Sequence, residues 1–231
     1  TIVLFFYFHI YYSGGIMKKE LCIIVFILLC LTLRYDKPLF TKFYYQIESI
    51  KHPNSIQVLV NKNHQLSSHY VPKDLEVISN QYAYDEKYLR KEARLSFERL
   101  SEEASTLGYR IIGVSAYRDY DYQKKLYQYY VDTKGKEYAD LCSARPGHSE
   151  HQSGLAIDVM GSNLDYNLFE ESEEFTWMSE NAHHYGFILR YPKGKEQITG
   201  FKYEPWHYRY VGVELATTLY QKNLTLEEYF H

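Results

Sequence analysis

The residue types that carry chemistry are concentrated in two short stretches. The first, Ser143 to Asp158, reads SARPGHSEHQSGLAID and places Ser149, His151, Gly154, Ala156 and Asp158 at regular positions. The second is Glu204-Pro205-Trp206-His207. Together they offer two imidazoles, His151 and His207, and one carboxylate, Asp158. Such a donor set suits Zn²⁺ and leaves a fourth position for water. A metal ion there lowers the pKa of the water and polarises a substrate carbonyl. Hydrolysis also needs a group that takes the water's proton and passes it to the leaving amine. Glu204, three residues before His207, is the candidate.

Most of the 10 histidines need no such role. His9, His52, His64, His69, His183, His184 and His231 read as surface or satisfied core positions. His183 and His184 fall late in an expected helix, where positive charge is favourable in any case. His148 lies near the first stretch without a clear task. Asp158 is different, because it falls in an apolar run, and a buried carboxylate requires a partner or a metal.

The elements that must position these groups can be read from spacing. Gly154 to Val159 predicts a strand, as do Ile56 to Val60, Tyr109 to Ala116, Phe187 to Arg190 and His207 to Val211. Asp85 is the expected cap of a long helix to Leu107, with Leu89, Ala93, Phe97, Leu100, Ala104 and Leu107 on one face and Gly108 as its stop. Further helices are expected over about Asp121 to Asp132, from Ser172 to a stop at Gly186, and over Val213 to Lys222. Residues 64–84 read as irregular. Strands and helices mix without strict alternation, so the fold class is α+β: a small, mainly antiparallel sheet with helices packed on it. There is no internal repeat.

Composition narrows the function classes. A chain of 231 residues with 45% apolar and 24% charged residues buries a full core, so wholesale disorder is excluded. Lys+Arg 26 against Asp+Glu 29 leaves no positive excess, and no nucleic acid partner is expected. The 26 tyrosines suit clefts and interfaces, since each joins an apolar ring to a polar tip. Cys22, Cys30 and Cys142 form neither an even-numbered framework nor a Cys-x-x-Cys pair.

Residues 1–40 read as a targeting or membrane-anchor segment. Met17-Lys18-Lys19 opens a basic region, and Leu21 to Leu33 follows with thirteen residues, all apolar except Thr32. As a helix that run spans about 20 Å, short of a hydrocarbon core of about 30 Å. It fits a signal peptide or an uncleaved anchor, with a buried core helix as the alternative. Met17 reads as a start, so residues 1–16 either stand outside the product or extend the anchor. Residues 41–55 read as a linker and 56–231 as the catalytic domain. Lysines before the apolar run predict an exported domain, tethered to the membrane or secreted.

The string Ser149-x-His151-x-x-Gly154-x-Ala156-x-Asp158, followed by Glu204-x-x-His207, resembles the zinc D-alanyl-D-alanine carboxypeptidases of the VanY type. So do ARPGHSEHQSGLAIDV as a whole, Ser115-Ala116-Tyr117-Arg118 with Gln123, and Leu59-Val60-Asn61-Lys62. The resemblance covers about residues 56–231. Ala116 departs from it, the family often having Gly there. The resemblance implies the LAS/hedgehog-type zinc peptidase fold and one zinc ion held by His151, Asp158 and His207, with Glu204 as base. It also implies that Arg118 binds a substrate carbonyl or carboxylate and stabilises the oxyanion. A surface ion pair is the alternative for Arg118. Ser149 and Gln123 would hydrogen-bond the substrate terminus, and Trp206 would pack beside the metal.

The function expected on these grounds is hydrolysis of the terminal D-Ala from peptidoglycan stem peptides, with no obligatory protein partner. Two alternatives stand beside it: L,D-carboxypeptidase action on tetrapeptide stems, and a non-catalytic zinc module that only binds peptidoglycan. The second would not need Glu204.

Overall fold

The computed structural model describes residues 43–230, which form one compact unit. The expected targeting segment and its cysteines lie outside the described residues. No helix among the described residues is long and apolar enough to cross a membrane.

Among the described residues eight strands run in chain order: β1 (Glu48–Ser49), β2 (His64–Gln65), β3 (Leu75–Val77), β4 (Tyr88–Arg90), β5 (Ile112–Ser115), β6 (Ala156–Met160), β7 (Phe187–Leu189) and β8 (His207–Tyr210). The last four make the central sheet, in the order β5-β6-β8-β7, with every neighbour antiparallel. β1 and β2 pair in parallel and β3 and β4 antiparallel as separate ribbons. The α+β expectation therefore holds. β6 is buried along its whole length. Ile157 and Val159 join the core cluster, while Asp158 between them points the other way, as strand alternation requires.

The long helix Lys91–Thr106 covers the sheet with Ala93, Phe97, Leu100 and Ala104, all within 1% of full burial. Its apolar face is the one that the spacing predicts, but its start is not. Asp85 has a left-handed φ of 61° and caps nothing, while Tyr88–Arg90 pair with Leu75–Val77. Cross-strand pairing, and the Arg90 N–H bonded to the Gly154 carbonyl at 2.8 Å, hold that stretch extended. β3, paired with β4, and β2, paired with β1, both fall inside the stretch expected to be irregular.

Ile56 to Val60 is not a strand. Val58 and Val60 are buried as the apolar pattern requires, but the Ile56 and Val58 carbonyls accept from the Arg209 guanidinium at 3.0 and 2.7 Å. A side chain thus takes the place of a neighbouring strand. From Phe43 on, the expected linker is packed: the Tyr44 N–H donates to Asn63 Oδ1 at 2.9 Å, and Ile50 rests on the core.

The remaining elements follow local signals. Asp119 caps the helix Tyr120–Lys134, accepting from the Tyr122 N–H at 2.7 Å. Ser172 caps Glu173–Asn181 in the same way, at 3.1 Å to Phe175. That helix tightens into a 3₁₀ turn, Ala182–Tyr185, and ends at Gly186 with φ 79°. Val213–Lys222 is helical as expected, and the short helices Lys136–Cys142, Tyr166–Phe169, Glu196–Thr199 and Leu226–Phe230 add to it.

Candidate active site and metal centre

The antiparallel register of β6 on β8 sets Asp158 directly opposite His207. Cross-strand neighbours have Cβ atoms about 4.5–5.5 Å apart, so residues 49 positions apart in sequence meet. His207 Nδ1 lies 2.8 Å from Asp158 Oδ1. On the other side of β6, Asp158 pairs with Ser115 of β5, and the chain continues through Ala116 to Arg118.

His151 arrives from a 3₁₀ turn, Glu150–Ser153. Gly154 ends the turn with φ 68°, and a Cβ there would stand 2.9 Å from Leu75 Cδ2 and 3.0 Å from Arg90 Cγ. Only glycine meets both demands. The Ala116 carbonyl lies 2.6 Å from His151 Nδ1 and fixes that nitrogen as the donor. His151 Nε2 is then left buried without a hydrogen-bond partner, 3.4 Å from Asp158 Oδ1.

One donor atom from each of His151, Asp158 and His207 falls within 4.8 Å of the other two. All three side chains are buried. Two imidazoles and a carboxylate converging with a lone pair unclaimed fit a divalent zinc-type ion. The electrostatics fit as well. Burial alone would raise the Asp158 carboxyl, yet His151 and His207 hold it well below the usual carboxylate range. Burial, with the nearby Arg118 charge, pushes His151 down to about 4, so its imidazole is neutral at pH 7. Burial opposes a charge on His207, but the Asp158 and Glu150 carboxylates outweigh it and lift that imidazole to about 9.

Glu204 lies in the loop before β8, held by its N–H on the Tyr191 carbonyl at 3.1 Å. Its Oε2 is 4.0 Å from His207 Nδ1. Burial pushes its carboxyl up to about 7; Asp158 adds to the rise, and His207 and Arg118 oppose it. A carboxyl so poised takes and returns a proton near neutral pH.

The eight residues singled out in the sequence, Arg118, Gln123, Ser149, His151, Asp158, Glu204, Trp206 and His207, all line one cleft of about 340 Å³. The Arg118 N–H bonds to the His151 carbonyl at 3.3 Å, while its side-chain Nε is buried without a partner. Arg118 makes no ion pair among the described residues, so the surface-pair alternative is not realised. Gln123 is the one buried residue of its helix. Its amide nitrogen donates to the Ala144 carbonyl at 2.7 Å and to Ser143 Oγ at 3.2 Å, which leaves Oε1 as the free atom. Trp206 packs edge-on against Tyr166 with ring centroids 5.1 Å apart. His148 stays outside the cleft, 2.8 Å from the Asn61 carbonyl through Nδ1.

Several site residues escape a sequence reading. Tyr191 stacks on His207 at 4.9 Å, and Tyr166 lines the cleft. Glu150, Arg190 and Arg209 form a charged cluster behind His207, each 1% exposed or less. Glu150 stands inside the motif between Ser149 and His151, but its burial depends on arginines 40 and 59 positions away.

The chain is similar to known proteins over most of its described length. A family model described as VanY, D-alanyl-D-alanine carboxypeptidase, matches residues 86–213. A D-alanyl-D-alanine carboxypeptidase of Enterococcus faecium is 39% identical over 181 residues, covering 74% of this chain and 56% of that one. The solved structure of the LdcB LD-carboxypeptidase superposes with TM-score 0.76 at 42% identity, over 80% of this chain and 89% of that one. A mutant of the vancomycin resistance D,D-pentapeptidase VanY, solved in complex with Zn(II), gives TM-score 0.65 at 34% identity, over 76% and 98%. The family model spans more than half of the sequence, so the chain belongs to the VanY family of D-alanyl-D-alanine carboxypeptidases.

Proposed function

We propose that this protein is a zinc-dependent carboxypeptidase that hydrolyses the terminal D-Ala from peptidoglycan stem peptides. One observation carries the reading: His151, Asp158 and His207 converge in the cleft that also holds Glu204 and Arg118. A zinc ion held by the three would supply Lewis-acid polarisation of the scissile carbonyl and a water made acidic enough to attack at neutral pH. Glu204 takes the proton of the attacking water and returns it to the leaving amine. Arg118 brings a planar, permanent cation with paired donors to the carbonyl or carboxylate oxygens of the substrate. Ser149 and Gln123 line the same cleft and would meet the peptide terminus. The free atom of Gln123 is an acceptor, so it would take an N–H or O–H from the substrate or a bridging water rather than a carboxylate oxygen directly. Tyr166 and Trp206 form an aromatic wall.

The bond preference has two readings. Cleavage between two D-residues is supported by the names of the family model and of the Enterococcus relative. L,D cleavage of tetrapeptide stems is favoured by the closer superposition on the LD-carboxypeptidase, 0.76 against 0.65. Purified protein incubated with pentapeptide and tetrapeptide stems, with and without chelator, decides between them through product masses. Loss of one D-Ala from the pentapeptide supports the D,D reading, and loss from the tetrapeptide the L,D reading. Turnover of neither stem, in protein shown to hold zinc, overturns the enzyme reading and leaves the binding module.

The proposed location is outside the cytoplasm, where stem peptides are found. The support is in sequence alone, Lys18-Lys19 before Leu21–Leu33. Protease added to intact cells without an outer membrane, or to spheroplasts, would digest the domain if it is exported. A protected domain would contradict export.

A further inference from the structure

Against the inner wall of the cleft, which Glu150 helps to line, lies a buried cluster of two carboxylates and two guanidinium groups that the proposed reaction does not use. Glu227, on the C-terminal helix Leu226–Phe230, holds Arg190 through two bonds of 2.8 and 2.6 Å. Arg190 Nε donates to Glu150 Oε1 at 2.8 Å, and Arg209 Nη1 donates to the same oxygen at 2.7 Å. Arg209 is itself anchored on the Ile56, Val58 and Tyr210 carbonyls. Two anions balance two cations, which is what burial of such groups requires.

The cluster is saturated on one side and open on the other. Glu150 Oε1 carries both guanidinium donors, whereas Oε2 is buried with no hydrogen-bond partner. That oxygen lies 3.6 Å from His207 Nε2, which is also buried and without a partner. The other ring nitrogen, Nδ1, faces Asp158 at 2.8 Å.

We propose that Glu150 is a positioning residue that fixes the ligating tautomer of His207. An ionised carboxylate only accepts hydrogen bonds, so the proton must sit on His207 Nε2 and the lone pair on Nδ1. Asp158 alone would favour the reverse. Its carboxylate at 2.8 Å attracts a proton to Nδ1, where a metal cannot share the site. Glu150 competes for that proton from the other face of the ring. Arg190 and Arg209 aim it, and through Arg190 the C-terminal helix is tied to the metal centre. A carboxylate behind a ligating histidine also raises the ligand's basicity.

This inference rests on the zinc reading of the site. Its test is Glu150→Gln in the full chain, by zinc dissociation constant and by the absorption spectrum of the Co²⁺-substituted protein. A carboxamide has one acceptor and one donor end. If its oxygen keeps both arginines, its NH₂ points at His207 Nε2 and forces the proton to Nδ1. If its oxygen turns to His207, its NH₂ confronts two guanidinium groups. Either arrangement loosens the ligand. The expected result is a folded protein whose zinc affinity falls about 10- to 100-fold, with a shifted Co²⁺ spectrum. A purely structural role would lower the unfolding midpoint and leave both metal readouts in place, and that outcome overturns the proposal. Should Glu150→Gln not fold, proton–nitrogen NMR of the zinc-loaded wild type decides the matter. A His207 Nε2 proton shifted far downfield and protected from exchange, as a bond to a carboxylate requires, supports the proposal, and one with the shift and exchange of an imidazole N–H without an acceptor defeats it. Failure of the wild type to bind zinc is a separate result, which removes the metal reading itself.

Discussion

Asp158 and His207 face each other across the β6–β8 pair, and the register that pairs their Cα atoms brings Oδ1 and Nδ1 to 2.8 Å. The approach of these two candidate ligands is therefore a property of the sheet. His151 joins through a turn held against the same strands by the Ala116 carbonyl.

The ligand set predicts three parallel losses. His151→Ala, Asp158→Ala and His207→Ala should each lose zinc and activity together. Metal analysis of the purified variants checks this, and full zinc content in any one removes that residue from the set.

Glu204→Gln keeps the side chain's size and removes its proton uptake. Zinc content should stay near that of the wild type while kcat falls on the order of 10²-fold or more. The pH profile follows from the same group. Glu204 must be ionised to act as base, so kcat/KM should fall as pH drops through its pKa. Burial places that value at about 7 without a metal, and a bound cation draws it lower. The acid limb should therefore have its midpoint at or below pH 7. Near-normal turnover by Glu204→Gln would discard the mechanism.

Arg118 should discriminate free from amidated peptide ends. Arg118→Lys and Arg118→Ala are expected to cut kcat/KM sharply with zinc retained, because an ammonium cannot reproduce paired planar donors. Amidating the substrate's C-terminus should be poorly tolerated by the wild type. Loss of that preference in the variants assigns the carboxylate to Arg118; a retained preference assigns Arg118 to the oxyanion and the terminus to another group. An amidated stem cleaved as fast as the free acid would point to an endopeptidase.

Gly154→Ala should destabilise the fold by about 2 kcal/mol or more, since it adds the left-handed backbone cost to contacts with Leu75 and Arg90. Denaturant unfolding measures the shift. An unchanged midpoint would mean that the turn before β6 relaxes freely.

The sequence by itself determined the chemistry on offer and most of the local structure around it. Residue types and spacing select His151, Asp158, Glu204 and His207, because few other patterns supply two imidazoles and two carboxylates within short motifs. Periodicity finds the buried face of Lys91–Thr106 and the strand through Asp158, and capping residues mark Ser172 and Gly186, since these signals depend on near neighbours. Tertiary structure decided what depends on distant partners. Tyr88–Arg90 looked helical and became a strand because Leu75–Val77 was there to pair with it. Ile56 to Val60 looked like a strand and became irregular because Arg209 took its carbonyls. Glu150 carries no periodic signal at all. Its place behind His207 is set by two buried arginines from β8 and the end of β7, whose charge is tolerable in the core only where carboxylates from elsewhere in the chain converge on them.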